Sequence, residues 1–147
     1  MGLGQTNLMA RGLILDTCIP IAAERQRNSV PEMLKAVRER YGEIELGLST
    51  EIVVELTHGI YRARNDAARL SRQSFLQVAF RNLVAYPVSL EIAQLAGKIE
   101  GEQAAKGIGI PFEDLVIGST ALYLGFDILT QNVKHFQLIP GLKAVTL

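Results

Sequence analysis

Short apolar runs alternate with longer stretches of helical periodicity along this chain. The runs lie at residues 12–16 (GLILD), 44–48 (IELGL), 82–87 (NLVAYP) and 126–130 (FDILT), with a weaker one at 142–146 that suits an edge strand. Each is short and apolar enough for a strand buried on both faces. Between them the period changes to that of a helix. Residues 31–41 set Met33, Leu34 and Val37 on one side. Residues 51–64 follow the capping pair Ser49-Thr50, residues 66–81 are rich in arginine, and residues 90–106 carry Ile92, Leu95, Ala96 and Ile99 at core spacing. Pro111 opens a fifth helix that stops at Gly125, since proline suits a helix start and glycine a helix end. Alternating strands and helices predict an α/β fold: a three-layer α/β/α domain with a central parallel sheet of four to five strands. No repeat or linker divides residues 11–147, which are expected to form one domain. Residues 1–10 are expected to be a flexible leader, having neither a basic start nor an apolar signal core.

Composition narrows the function. Apolar residues make up 48% of the chain, enough for a packed core in 147 residues. The 15 basic residues are matched by 15 acidic ones. That balance excludes binding to nucleic acid by bulk charge alone and leaves room for a local basic groove. Cys18, the single cysteine, excludes an intrachain disulfide framework and a CxxC zinc site. No apolar run is long enough to span a bilayer. A cytoplasmic location is expected.

Ligands of open parallel sheets collect at the carboxyl ends of the strands. Asp16 ends the first strand and Thr130 the fourth, with Asn132 two residues later. Glu55 falls within the helix after the second strand, and Asp114 in the first turn of the helix opened by Pro111. Three carboxylates and an amide oxygen form a hard donor set suited to Mg²⁺ or Mn²⁺ and not to zinc. Each residue also has an ordinary structural reading. Asp16 could shape a turn, Glu55 could pair with an arginine, Asp114 or its neighbour Glu113 could favour the helix dipole, and Asn132 could cap a helix. Known acid-bearing folds fit poorly. A receiver domain needs an aspartate ending its third strand and a lysine ending its fifth. A haloacid-dehalogenase-like phosphatase needs Asp-x-Asp where this chain has Asp16-Thr17-Cys18. A small tyrosine phosphatase needs Cys-x5-Arg, and the first arginine after Cys18 is Arg25, one residue too far.

The motifs, taken in order, resemble those of the PIN-domain ribonucleases, in particular the VapC-type toxins. The resemblance covers the chain from about Gly12 onward. It rests on Leu13-Ile-Leu-Asp16-Thr17, on the helix containing Glu55-Leu56 and Gly59, on Pro111-Phe-Glu-Asp114 with its small-residue helix, and on Thr130-Gln-Asn132 followed by Phe136. It implies that Asp16, Glu55 and Asp114 are metal ligands, that Asn132 is a fourth, supporting position, and that Thr130 helps arrange the edge. It further implies an Mg²⁺- or Mn²⁺-dependent endoribonuclease, a homodimer, and a cognate VapB-like antitoxin whose tail wraps the toxin. Two positions depart from the family pattern: Cys18 replaces a better hydrogen-bonding residue, and His135 stands where an acid is common, which favours a single metal ion. Arg62, Arg64, Arg69, Arg72 and Arg81, with Lys106 and Lys134, are candidates for holding RNA phosphates. The segment from Ile60 to Leu83 is the candidate antitoxin groove. The alternative reading is a catalytically inactive PIN-fold module that binds RNA or protein.

Overall fold

The computed structural model describes residues 11–147; the expected leader lies outside them. Five strands alternate with seven helices among these residues: β1 (Gly12–Leu15), α1 (Cys18–Arg25), α2 (Val30–Tyr41), β2 (Glu45–Ser49), α3 (Thr50–Tyr61), α4 (Asp66–Asn82), β3 (Val84–Tyr86), α5 (Leu90–Ala104), α6 (Phe112–Leu124), β4 (Asp127–Leu129), α7 (Val133–Phe136) and β5 (Ala144–Val145). All strands pair in parallel, in the order β3-β2-β1-β4-β5. The α/β class and the parallel sheet are as the hydrophobic pattern predicts.

Helix starts follow from local chemistry. Ser29 and Glu32 form a capping box at the head of α2, with each side chain bonded to the other's backbone N–H. Ser49, Asn65 and Ser89 cap α3, α4 and α5 in the same spirit. Pro111 precedes α6, and Gly125 ends it in a left-handed conformation that glycine adopts without strain (φ 72°). Two boundaries differ from expectation. The hydrophobic period assigns no helix to residues 17–30, yet α1 forms there; Pro20 sits in its first turn, where its missing N–H has no helical partner to lose. Helix α4 runs on through Asn82, so β3 begins at Val84 and not at residue 82. The Asn82 side chain bonds back to Val78 O and continues the helical pattern there.

β1 is buried throughout and lies at the centre of the sheet. The chain moves from β1 to β2 to β3 in one direction, then returns to place β4 on the other side of β1. The crevice above β1 and β4 is therefore the topological switch point, where folds of this kind bind ligands. α6 packs on both strands, and α3 touches α6 and α4. This brings helix starts from both halves of the chain to one edge.

Close backbone approach sets the spacing beside that edge. A Cβ at Gly47 would lie 2.5 Å from the Tyr86 ring and 2.9 Å from Val84 O. The Tyr86 ring in turn meets Phe126 edge-on, with centroids 5.7 Å apart. In an open strand, alanine would be more stable than glycine by roughly 0.5–1 kcal/mol. Here Gly47→Ala is expected to destabilise by about 1–3 kcal/mol through overpacking, measured by urea unfolding. Unchanged or raised stability would mean that the Tyr86 ring moves freely.

Candidate active site

The site begins with a buried carboxylate. Asp16 follows β1 and is only 5% exposed. Its backbone N–H donates to Leu129 O at 2.9 Å, extending the β1–β4 pairing by one residue. Its Oδ1 accepts from Thr17 N at 2.8 Å, and its Oδ2 accepts from the Thr130 hydroxyl at 2.8 Å. The Thr130 oxygen also accepts from Asn132 N at 2.8 Å. One hydroxyl thus ties the ends of β1 and β4 and shapes the turn into α7. Burial of a charged group is tolerated only with such partners.

Cys18 adds weaker support. Its thiol lies 3.5 Å from Asp16 Oδ2 and accepts from Gln131 N at 3.3 Å. Burial pushes its pKa up, and the Asp16 charge acts in the same direction. The thiol is therefore held in its neutral form as a spacer and weak donor.

Glu55, Glu113 and Asp114 face Asp16 across one cleft of about 600 Å³, which Asn132 and Gln131 also line. The four sequence-predicted residues Asp16, Glu55, Asp114 and Asn132 are thus brought together. Asn132 precedes α7 but makes no side-chain cap, so its amide is free of that duty. Glu113 is a fifth member that sequence reasoning set aside as a helix-end charge. Successive residues on a helix point about 100° apart, so Glu113 can face Glu55 while Asp114 faces His135. The signal was present in two adjacent acids at one helix start.

Crowding of the acids leaves an electrostatic mark. Glu55 is pushed up to about 7, first by burial, then by the hydrogen bond and charge of Glu113, with Asp16 adding to it; the Thr17 hydroxyl acts in the opposite direction. Asp114 is raised by burial and by the Asp16 charge, and His135, whose Nδ1 is 2.9 Å from Asp114 Oδ2, partly offsets this. Thr17 Oγ1 is itself buried without a partner of full hydrogen-bond geometry. Among the described residues, no three Asp, Glu, His or Cys side chains stand at the spacing of a closed ion site. The donor chemistry nevertheless fits a hard divalent cation. The donors are oxygens, they repel one another, and a buried hydroxyl beside them is unsatisfied.

The expected basic flank is partly committed elsewhere. Arg72 pairs with Glu24 (Nε–Oε1 3.6 Å) and donates to Gly59 O at 2.7 Å. Arg69 lies 3.9 Å from Asp66 and over the Tyr61 ring. These contacts knit α4 to α1 and α3.

An apolar groove of about 220 Å³ adjoins the cleft, walled by Ile21, Leu56, Phe75 and Leu76, and shares Ile21, Arg25 and Glu55 with it. Among the described residues no helix is long and apolar enough to cross a membrane.

The chain's likeness to known proteins agrees with this geometry. The PIN domain family model matches residues 13–141. Ribonuclease VapC1 of Rickettsia felis is 30% identical over 136 residues, which cover 92% of this chain and 96% of that protein. Ribonuclease VapC of Rickettsia bellii matches at the same identity and coverage. In fold, the chain resembles VapBC2 of Rickettsia felis bound to a DNA fragment from its promoter (TM-score 0.78, 22% identity, 92% of this chain and 98% of that one). It resembles VapBC of Salmonella typhimurium bound to DNA equally well (TM-score 0.78, 22% identity, 94% and 98%). A buried aspartate at the switch point, acids gathered from two helices, and likeness over nine-tenths of the chain lead to one assignment: the chain belongs to the PIN-domain family, among the VapC ribonucleases.

Proposed function

We propose that this protein is a divalent-metal-dependent endoribonuclease acting as the toxin of a type II toxin–antitoxin pair. The observation that carries the reading is Asp16, buried at the switch point and fixed through both oxygens, with Glu55, Glu113 and Asp114 across the same cleft. Asp16, Glu55 and Asp114 would hold Mg²⁺ or Mn²⁺, and Asn132 would support that set. When bound, such an ion polarises a phosphoryl oxygen and lowers the pKa of water. The chain's own residues do the rest. Thr17 N–H and Thr130 Oγ1 hold Asp16 in place through both of its oxygens. His135 holds one oxygen of Asp114 and leaves the other toward the cleft. Glu113 and Glu55 share a repulsion that a cation relieves. Retention of this donor set favours a working nuclease over an inactive binding module.

The partner reading follows from the groove beside the cleft and from the solved VapBC relatives. We place a VapB-like antitoxin segment against Phe75 and Leu76, within the region from Ile60 to Leu83, in contact with the cleft through the shared residues. A homodimer and a cytoplasmic location complete the reading.

Three outcomes test it. Asp16→Asn and Asp114→Asn should each reduce cleavage of total cellular RNA by about 100-fold or more, since even residues that merely support metal ligands are worth 10–100-fold. The growth arrest on induction should vanish with the cleavage, and cleavage surviving excess EDTA would remove the metal from the mechanism.

The second outcome concerns pH. Glu55 has a folded pKa of about 7 against an ordinary value of 4.5. A raised acid favours folding only while protonated. Its contribution is therefore complete below pH 4.5 and is lost as pH rises through 7. In EDTA, Glu55→Gln should be more stable than the natural protein at pH 8 and should lack this part of the decline. Mg²⁺ should narrow the difference, as measured by thermal unfolding; parallel pH curves for the two proteins would contradict the crowding argument.

Third, Phe75→Glu should abolish co-purification with the antitoxin while RNA cleavage persists. An intact complex would move the antitoxin elsewhere.

A further inference from the structure

Arg25 is the one cationic side chain that lines the carboxylate cleft among the described residues, and it also lines the adjoining groove. It stands in the exposed last turn of α1. No carboxylate pairs with it among the described ion pairs; its neighbour Glu24 is taken by Arg72. A cation at the mouth of an acidic cleft, with its guanidinium uncommitted, has free donors to offer a ligand.

The backbone beside it sets how the neighbouring side chains are presented. Helix α1 ends in a Schellman motif, with Asn28 N bonded to Ala23 O at 2.9 Å and Arg27 N to Glu24 O at 3.0 Å. The left-handed position of this motif is normally glycine. Here it is Arg27, the only non-glycine residue with positive φ (58°) among the described residues. That conformation disfavours residues bearing a Cβ, and here the helix-ending turn imposes it. The turn leaves Arg25, Gln26 and Arg27 exposed in succession, with Gln26 also lining the cleft.

We propose that Arg25 is a substrate-binding residue that holds a phosphate of single-stranded RNA at the edge of the carboxylate cleft, with Arg27 adding to the positive potential there. This rests on the ribonuclease reading and deepens it. Four carboxylates line the cleft, and they repel a polyanion everywhere except where a cation intervenes. Arginine meets a phosphate with two parallel N–H donors, so it fixes the strand's direction as well as attracting it. Gln26 and Gln131 flank the approach without adding negative charge.

The test uses the full chain with Mg²⁺. Cleavage of total cellular RNA gives rates. Binding is followed by anisotropy of a labelled mixed-sequence single-stranded RNA, in an Asp16→Asn background that silences cleavage. Arg25→Ala should weaken binding by about tenfold, the scale of one charged hydrogen-bonded contact. It should lower the log–log salt slope by about 0.7, the value of one phosphate contact on a single strand. It should raise KM with little change in kcat, and Arg25→Lys should restore part of the loss. Arg27→Gly should raise the melting temperature, by relieving the left-handed backbone, while weakening RNA binding. A role confined to capping α1 would move stability and leave the salt slope unchanged. Natural protein that cleaves RNA alongside an Arg25→Ala variant with the same Kd, salt slope and KM would overturn the assignment of Arg25 alone. Natural protein that neither binds nor cleaves RNA would overturn the ribonuclease reading and this inference with it.

Discussion

The hydrogen bond from Thr130 to Asp16 is the contact on which the rest of the site depends. It spans 114 positions in sequence and 2.8 Å in space. A polar group this deeply buried is costly unless hydrogen bonds satisfy it. Three donors supply them to Asp16: the Thr130 hydroxyl, the Thr17 amide and, weakly, the Cys18 thiol. All three come from residues just beyond β1 and β4, so the parallel pairing of those strands is the condition for a fully hydrogen-bonded Asp16. Sheet register and site electrostatics are therefore the same fact described at two scales.

The acids opposite Asp16 are held differently. Glu55 and Asp114 come from the early turns of α3 and α6, and neither enjoys a comparable set of donors. Their raised pKa values reflect burial first, and then neighbouring negative charge that the cleft's own hydrogen bonds do not balance. The fold spends stability to keep them there. Helix–helix packing between α3 and α6, buttressed by the Thr120 hydroxyl pointing at Ser49 Oγ (3.4 Å), holds the two starts together against that repulsion. Function here is visible as a local conflict within an otherwise consistent structure.

Much of this was legible in the sequence. The strands read plainly because parallel strands buried on both faces are continuous apolar runs, and Gly12–Leu15 is the clearest of them. The chain order of Asp16, Glu55, Asp114 and Asn132 relative to strand ends was enough to bring them to one edge. What escaped were features that depend on three-dimensional neighbours. Helix α1 is only eight residues long, too short to show a helical period of its own. Glu113 looked redundant beside Asp114 until Glu55 was seen to face it. Arg72 looked like a free cation for RNA, yet its partners Glu24 and Gly59 belong to two other helices. Arg25 gave no signal at all, because nothing in its local sequence tells that α1 ends at the rim of the cleft.

The sheet's two outer strands, β3 and β5, extend for only three and two residues. Such short margins leave little unpaired backbone for another chain to join. Recognition by strand addition, in which main-chain hydrogen bonds supply the affinity, has little backbone to work with at these two edges. The described surface instead offers a partner mainly side chains set into helical faces. Discrimination between the right partner and its many relatives is then written in the shapes of those side chains, and a few substitutions suffice to rewrite it.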